Sequence, residues 1–174
     1  MKKTILLVSF ICVACGSIRV QYDYDKNTDF SNYKTYNYYQ DLQTGLSELD
    51  TKRLLRILDS VLQTKGIRYA EEADFLINIE SREFRYPSGS TVGVGVGGGG
   101  RNVGGGVSIG LPIGSSKRER EIVFDFVDSQ RDALFWQALS ESSFRENASP
   151  NTKEKVLQQI VAKVLSKYPP KTNR

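Results

Sequence analysis

Three residue constellations have the types and spacing to do chemistry. Asp125, Asp128 and Asp132 cluster beside a turn signal, and paired carboxylates serve as general acid and base. Asp23-x-Asp25-x-Asn27-x-Asp29 imitates the alternating ligands of a calcium loop. Gly93-x-Gly95-x-x-Gly98 matches the glycine fingerprint of dinucleotide-binding turns. Each meets a physical objection. Asp125 and Asp128 point to opposite faces of a regular strand, which disfavours a shared site. The calcium pattern has Thr28 where the sharp turn requires Gly, and Lys34 where the bidentate Glu belongs. The glycine fingerprint is followed by more glycine rather than by the helix that would face a pyrophosphate. Gly114-Ser115-Ser116-Lys117 has the wrong order for a P-loop.

Residue types narrow the chemistry further. The chain has no histidine, which removes the commonest general base near neutral pH and the commonest metal ligand. Its two cysteines, Cys12 and Cys15, sit at the N-terminus. Ser-His-Asp and Cys-His arrangements cannot be built, and neither a metal nor a cofactor is expected. Six of the nine tyrosines lie between Tyr22 and Tyr39. Such rings can stack sugars or bases, but alternate positions of a strand belong to the core.

The N-terminal segment sets the compartment. Lys2 and Lys3 precede an apolar run from Thr4 to Ala14, too short for the ~20 residues of a membrane-spanning helix. This is a signal-peptide pattern. It ends Cys12-Val13-Ala14-Cys15-Gly16, which resembles a bacterial lipobox. Residues 1–14 are therefore expected to leave by cleavage between Ala14 and Cys15. Cys15 would then carry a thioether-linked lipid and an N-acyl chain such as palmitate. Several acyl chains anchor stably where one binds marginally, at ~0.8 kcal/mol per buried CH₂. Removing Lys2 and Lys3 from 24 basic and 20 acidic residues leaves 22 against 20, so no nucleic-acid partner is expected. Gly16, not Asp, follows Cys15. By known sorting rules this favours the outer membrane, and the lack of an acidic run favours its periplasmic side.

The elements that must position these residues follow from periodicity. Ile18, Val20, Tyr22 and Tyr24 alternate as a first strand, and Tyr33 to Tyr39 reads as a second. Ser47 to Lys65 is an amphipathic helix with Leu54, Leu55, Leu58, Val61 and Leu62 on one stripe. Ser47 and Asp50 suggest a capping box, and Gly66 a stop. Strands are expected at 74–83 and 121–128, with Phe75, Ile77 and Ile79 on one inner face and Ile122, Phe124 and Phe126 on another. A turn at 129–131 makes a hairpin to 133–139, with Leu134, Trp136 and Ala138 inward. A last helix starts at Ser149-Pro150 and buries Leu157, Ile160, Val161, Val164, Leu165 and Tyr168. The expected fold is α+β: an antiparallel sheet with two amphipathic helices packed on one face, as a two-layer single domain.

Residues 91–114 hold eleven of the fifteen glycines. Their real signal is period two. Val92, Val94 and Val96 alternate with Gly93, Gly95 and Gly97; Val107, Ile109, Leu111 and Ile113 alternate with Ser108, Gly110, Pro112 and Gly114. This predicts two strands with an apolar face and a bare one, after a turn at Pro87-Ser88-Gly89. Gly93, Gly95, Gly97 and Gly110 form the bare face, against which a partner can approach closely.

The order of these motifs resembles a known family. A lipobox is followed by VQYDYDKNTDFSNYKTYNYY, a helix ending LQTKGIRYAEEADFLINI, a glycine-rich stretch, IVFDFVDSQRDALFWQALS and a helix ending VLSKYPP. This is similar to the DUF4136 family of bacterial lipoproteins across the mature chain. Members often have Gly after the Trp and a Trp at the end of the second strand, where this chain has Gln137 and Tyr38 or Tyr39. The resemblance implies a domain at 20–170, between a lipidated tether at 15–19 and a tail at 171–174, and carries over no catalytic residue. The functional expectation is a non-enzymatic binding or structural lipoprotein that meets the membrane through its lipid and docks an envelope protein. The alternatives are a carboxylate-based envelope enzyme, or a glycine hairpin that self-associates or inserts in the membrane.

Overall fold

A computed structural model describes residues 18–86, 91–94, 109–112 and 117–171. The signal segment, Ala14, Cys15, Gly95, Gly97 and the turn at 87–89 lie outside the described residues. β1 (Arg19–Tyr24) is followed by a single 3-10 turn (Phe30–Asn32), β2 (Thr35–Tyr38), α1 (Glu48–Thr64), β3 (Arg68–Tyr69) and β4 (Phe75–Tyr86). Then come β5 (Thr91–Val94), β6 (Ile109–Pro112), β7 (Lys117–Asp128), β8 (Ala133–Ser143) and α2 (Pro150–Leu165). Six strands form one sheet in the order β1-β8-β7-β4-β2-β3. The α+β expectation holds, with one correction: the sheet is mixed. β2 runs parallel to both β3 and β4. The physical reason is α1, which lies between β2 and its partners and returns the chain to the same end of the sheet.

Period-two alternation places Phe75, Ile77 and Ile79 beside Ile122, Phe124 and Phe126, then Trp136 and Ala138, all buried. Onto this face pack Leu54, Ile57, Leu58 and Leu62 of α1. From α2 come Leu157, Ile160, Val161, Val164 and Leu165, with Tyr168 just beyond it, as their spacing predicts. Leu55 and Val61 pack at the margin of this core, and Ile57 takes the buried place between them. Ser47 accepts a hydrogen bond from the Asp50 amide at 3.3 Å. Asp50 completes no capping box, because its carboxylate turns to Arg53 at 2.6 Å. Ser149 caps α2 through the Thr152 amide at 3.3 Å, with Pro150 in the first turn. Gly66 ends α1 at φ +79°, the left-handed region that favours glycine.

The β7–β8 hairpin contains a β-bulge. Phe126 pairs with Trp136 but Val127 pairs with Leu134, so Phe135 is the extra residue. Phe135 and Trp136 are consequently both buried, and Leu134 is 51% exposed rather than inward. β7 also begins earlier than its apolar alternation suggests, at Lys117. Its charged start is held by cross-strand pairs: Arg120 meets Glu83, directly opposite on β4, at 2.7 Å.

Candidate functional site

The three acids near the hairpin turn do not form one site. Asp125 sits on the outer face of β7 and accepts a hydrogen bond from Gln137 Nε2 at 2.7 Å. Asp128 is inward and 8% exposed. It accepts from Tyr33 Oη at 2.7 Å, from Arg131 Nε at 3.0 Å and Nη2 at 2.9 Å, and from the Gln130 and Arg131 amides. Burial alone would raise its pKa. The hydrogen bonds from Tyr33, Arg131 and the two amides outweigh burial and bring it down to about 2. Asp132 is exposed at φ +49° in the turn. Asp128 is thus a structural node that joins the β7–β8 turn to the chain before β2. Burial and the bond to Asp128 raise the Tyr33 phenol in turn. Its ring stacks on Phe135 with centroids 3.9 Å apart.

The calcium-like acids are likewise engaged by their own turn. Asp25 accepts from the Asn27 amide at 2.9 Å and Thr28 Oγ1 at 3.3 Å. Asp29 caps the 3-10 turn through the Ser31 amide at 3.1 Å and the Ser31 hydroxyl at 2.7 Å. Asp23 accepts from the Tyr24 amide at 2.8 Å. Among the described residues no cluster of three acids could hold a metal ion.

The tyrosines divide between core and surface. Tyr22 is 44% exposed and stacks on Tyr24 with centroids 6.3 Å apart. Tyr36 is fully buried, and its hydroxyl and that of Tyr38 both donate to Asp59 Oδ1 at 2.6 Å. Burial, with the Asp59 hydrogen bond second, pushes both phenols far upward. This clamp fastens α1 to β2. A shorter clamp holds β2 to β4: Asp74 Oδ2 accepts from the Lys34 amide at 2.9 Å and from the Thr35 amide and hydroxyl at 2.8 Å. Sequence reasoning found neither. A cluster of tyrosines beside a lone helical acid is the only signal for the first, and the partner cannot be chosen without the fold.

The glycine-rich segment carries the remaining candidates. β5 and β6 pair antiparallel as a second sheet of two strands. Gly93 opposes Gly110, Val92 opposes Leu111 and Val94 opposes Ile109. The register therefore sets glycine against glycine and apolar against apolar. The β4–β7 ladder ends with Tyr86 opposite Lys117, and the β5–β6 ladder begins with Thr91 opposite Pro112. Four residues separate the two ladders along the chain on each side.

Several solved structures share this fold. A PDZ domain protein from Parabacteroides distasonis superimposes with a TM-score of 0.58 at 13% identity, over 89% of this chain and 37% of that one. The chain thus spans little more than a third of that protein. A PelC dodecamer from Paraburkholderia phytofirmans matches with a TM-score of 0.51 at 16% identity, over 86% of this chain and 96% of that one. A point variant of it gives the same TM-score and identity, over 95% of its own length. No curated protein matches the chain in sequence. The family model described as a domain of unknown function, DUF4136, matches residues 20–170, nearly everything beyond the N-terminal segment. The chain belongs to the DUF4136 family.

Proposed function

We propose that this protein is a lipid-anchored envelope lipoprotein, held through Cys15 on the periplasmic side of the outer membrane, that acts by binding rather than by catalysis. The observation that carries this reading is the glycine ladder. A separate two-stranded ladder that sets Gly93 opposite Gly110 gives a partner close access to a backbone surface. Gly95 and Gly97 would lengthen that surface. An envelope protein or a second copy of the chain is the partner it suits. The likeness to PelC, solved as a dodecamer, favours self-association. Engagement of Asp125 by Gln137 and of Asp128 by Tyr33 and Arg131 supports binding over acid–base work.

Crosslinking in intact cells, followed by mass spectrometry, tests the reading with a deletion of residues 93–106 as the comparison. Crosslinks to itself or to one envelope protein are expected in the parent and lost in the deletion. Unchanged crosslinks in the deletion would refute the role of the ladder. Cys15→Ala is expected to abolish fatty-acid labelling, and persistent labelling would refute the anchor.

A further inference from the structure

The end of β8 and the first turns of α2 leave a cavity between them, bordered by the start of α1. Its volume is about 440 Å³, within the roughly 300–1,000 Å³ of small-ligand pockets. Its apolar lining comes from Phe144, Ala148 and Val156, backed by the core residues Ile122, Leu157 and Ile160. Its polar lining includes the end of the β7–β8 ladder. Arg120 and Ser142 stand opposite each other in the β7–β8 register, with Phe144 and Arg145 just beyond.

Two independent observations mark this as a place for a ligand. The first is an unpartnered buried polar atom: Arg120 lines the cavity, and its Nε is buried without a hydrogen-bond partner among the described residues. Buried polar atoms such as this Nε are ordinarily partnered. Ser142 follows Ala138 and Ser140 in the inward alternation of β8, is 6% exposed and lines the cavity. Among the described residues its hydroxyl makes no hydrogen bond, whereas Ser140 donates to the Ile122 carbonyl at 3.1 Å. The second is a surplus of positive charge. Arg120, Arg145, Lys153 and Lys155 line the cavity, against the single carboxylate of Asp50. Asp50 is already met by Arg53 at 2.6 Å and by Lys153 at 3.8 Å. Arg120 lies over the Phe144 ring at 3.6 Å and pairs with Glu83. Arg145 and Lys155 are exposed and make no ion pair among the described residues.

We propose that this cavity binds a single-chain amphiphile with an anionic head. The alkyl chain lies along Phe144, Ala148 and Val156, the apolar lining residues that keep exposed surface. The head takes the Ser142 hydroxyl as a donor and the charges of Arg145 and Lys155. A fatty acid and a lysophospholipid share this chemistry. The site is separate from the glycine ladder and stands or falls independently of it.

Isothermal titration of the full chain carrying Cys15→Ala, in detergent-free buffer, tests the proposal. The probes are laurate, lauroyl-lysophosphatidylglycerol, 1-dodecanol and dodecyltrimethylammonium, all below their micellar concentrations. One-to-one binding of at least one anionic probe is expected, about tenfold or more tighter than dodecanol, with no binding of the cation. Tighter binding of laurate assigns the site to free fatty acids; tighter binding of the lysolipid assigns it to phospholipid products. The double variant Arg145→Glu, Lys155→Glu changes only exposed positions and is expected to weaken the preferred anion about tenfold or more. Ser142→Leu, with its circular dichroism unchanged, should block it. Failure of both anions to bind, anions binding no tighter than dodecanol, or charge reversal without effect would overturn the proposal.

Discussion

Asp128→Asn should remove a pH-dependent part of the stability of this fold. The carboxylate accepts five hydrogen bonds, from Tyr33, Arg131 and two backbone amides. Its pKa falls from 3.8 to about 2. That difference of nearly two units, at ~1.36 kcal/mol per unit, sets a ceiling of ~2.4 kcal/mol. The Arg131 side chain is 66% exposed, so water screens its share, and ~1–2 kcal/mol is the expected loss at pH 7. The sign follows from the direction of the shift. A carboxyl with a depressed folded-state pKa stabilises fully above its unfolded value near 3.8, and that contribution disappears as pH falls through about 2. Urea unfolding, followed by circular dichroism at pH 7, 4.5, 3.5 and 2.5, is the assay. Asp128→Asn should be the less stable protein at pH 7 and 4.5, with the gap to the parent narrowing at 3.5 and 2.5. A constant gap across that range would refute the assignment of the ionised carboxylate as the node. Tyr33→Phe removes a charge-assisted bond of ~1.5–3 kcal/mol net and should raise the Asp128 pKa, read by carboxyl NMR titration.

The bulge predicts that Phe135→Ala costs ~3–5 kcal/mol in urea unfolding while Leu134→Ala stays within ~0.5 kcal/mol; equal losses would mean the hairpin has a regular register. Gly66→Ala should cost ~1–2 kcal/mol from left-handed strain alone, since no atom lies within 4 Å of its added Cβ. Gly45→Ala adds a contact of 2.7 Å with the Ser81 carbonyl oxygen to the same strain at φ +69°, so it should melt at the lower temperature of the two. Asp59→Leu leaves the Tyr36 and Tyr38 hydroxyls without their acceptor, at ~1–3 kcal/mol each; adding Tyr36→Phe and Tyr38→Phe should recover much of that loss, and a further large loss in thermal melts would count against the clamp.

Legibility in the sequence tracked how local the determining physics is. The six buried positions from Leu157 to Tyr168 follow from helical spacing, and the inner faces of β4 and β7 from alternation. The direction of β2 does not, because YKTYNYY specifies a strand without specifying its neighbour. The bulge was hidden by adjacent aromatics: Phe135 and Trp136 satisfy either phase of the alternation. Charged residues at 117–121 concealed the start of β7, whose pairs sit on other strands. Tyr33 and Asp128 are 95 residues apart in sequence, and no spacing rule links them. The acids singled out as chemistry are present but serve turns and clamps. The cavity behind Ser142 has no local signature, since it is made where two elements fail to meet.

The equal spacing of the two ladders on both sides has an evolutionary consequence. Inserting one residue between β4 and β5 alone would slip the outer ladder by one and set Val or Ile where glycine now faces glycine. Matched insertions, one on each strand, leave every pairing intact. Insertions between the two ladders are therefore expected in matched pairs, whereas the stretch between β5 and β6 can change by any number of residues without altering these pairings.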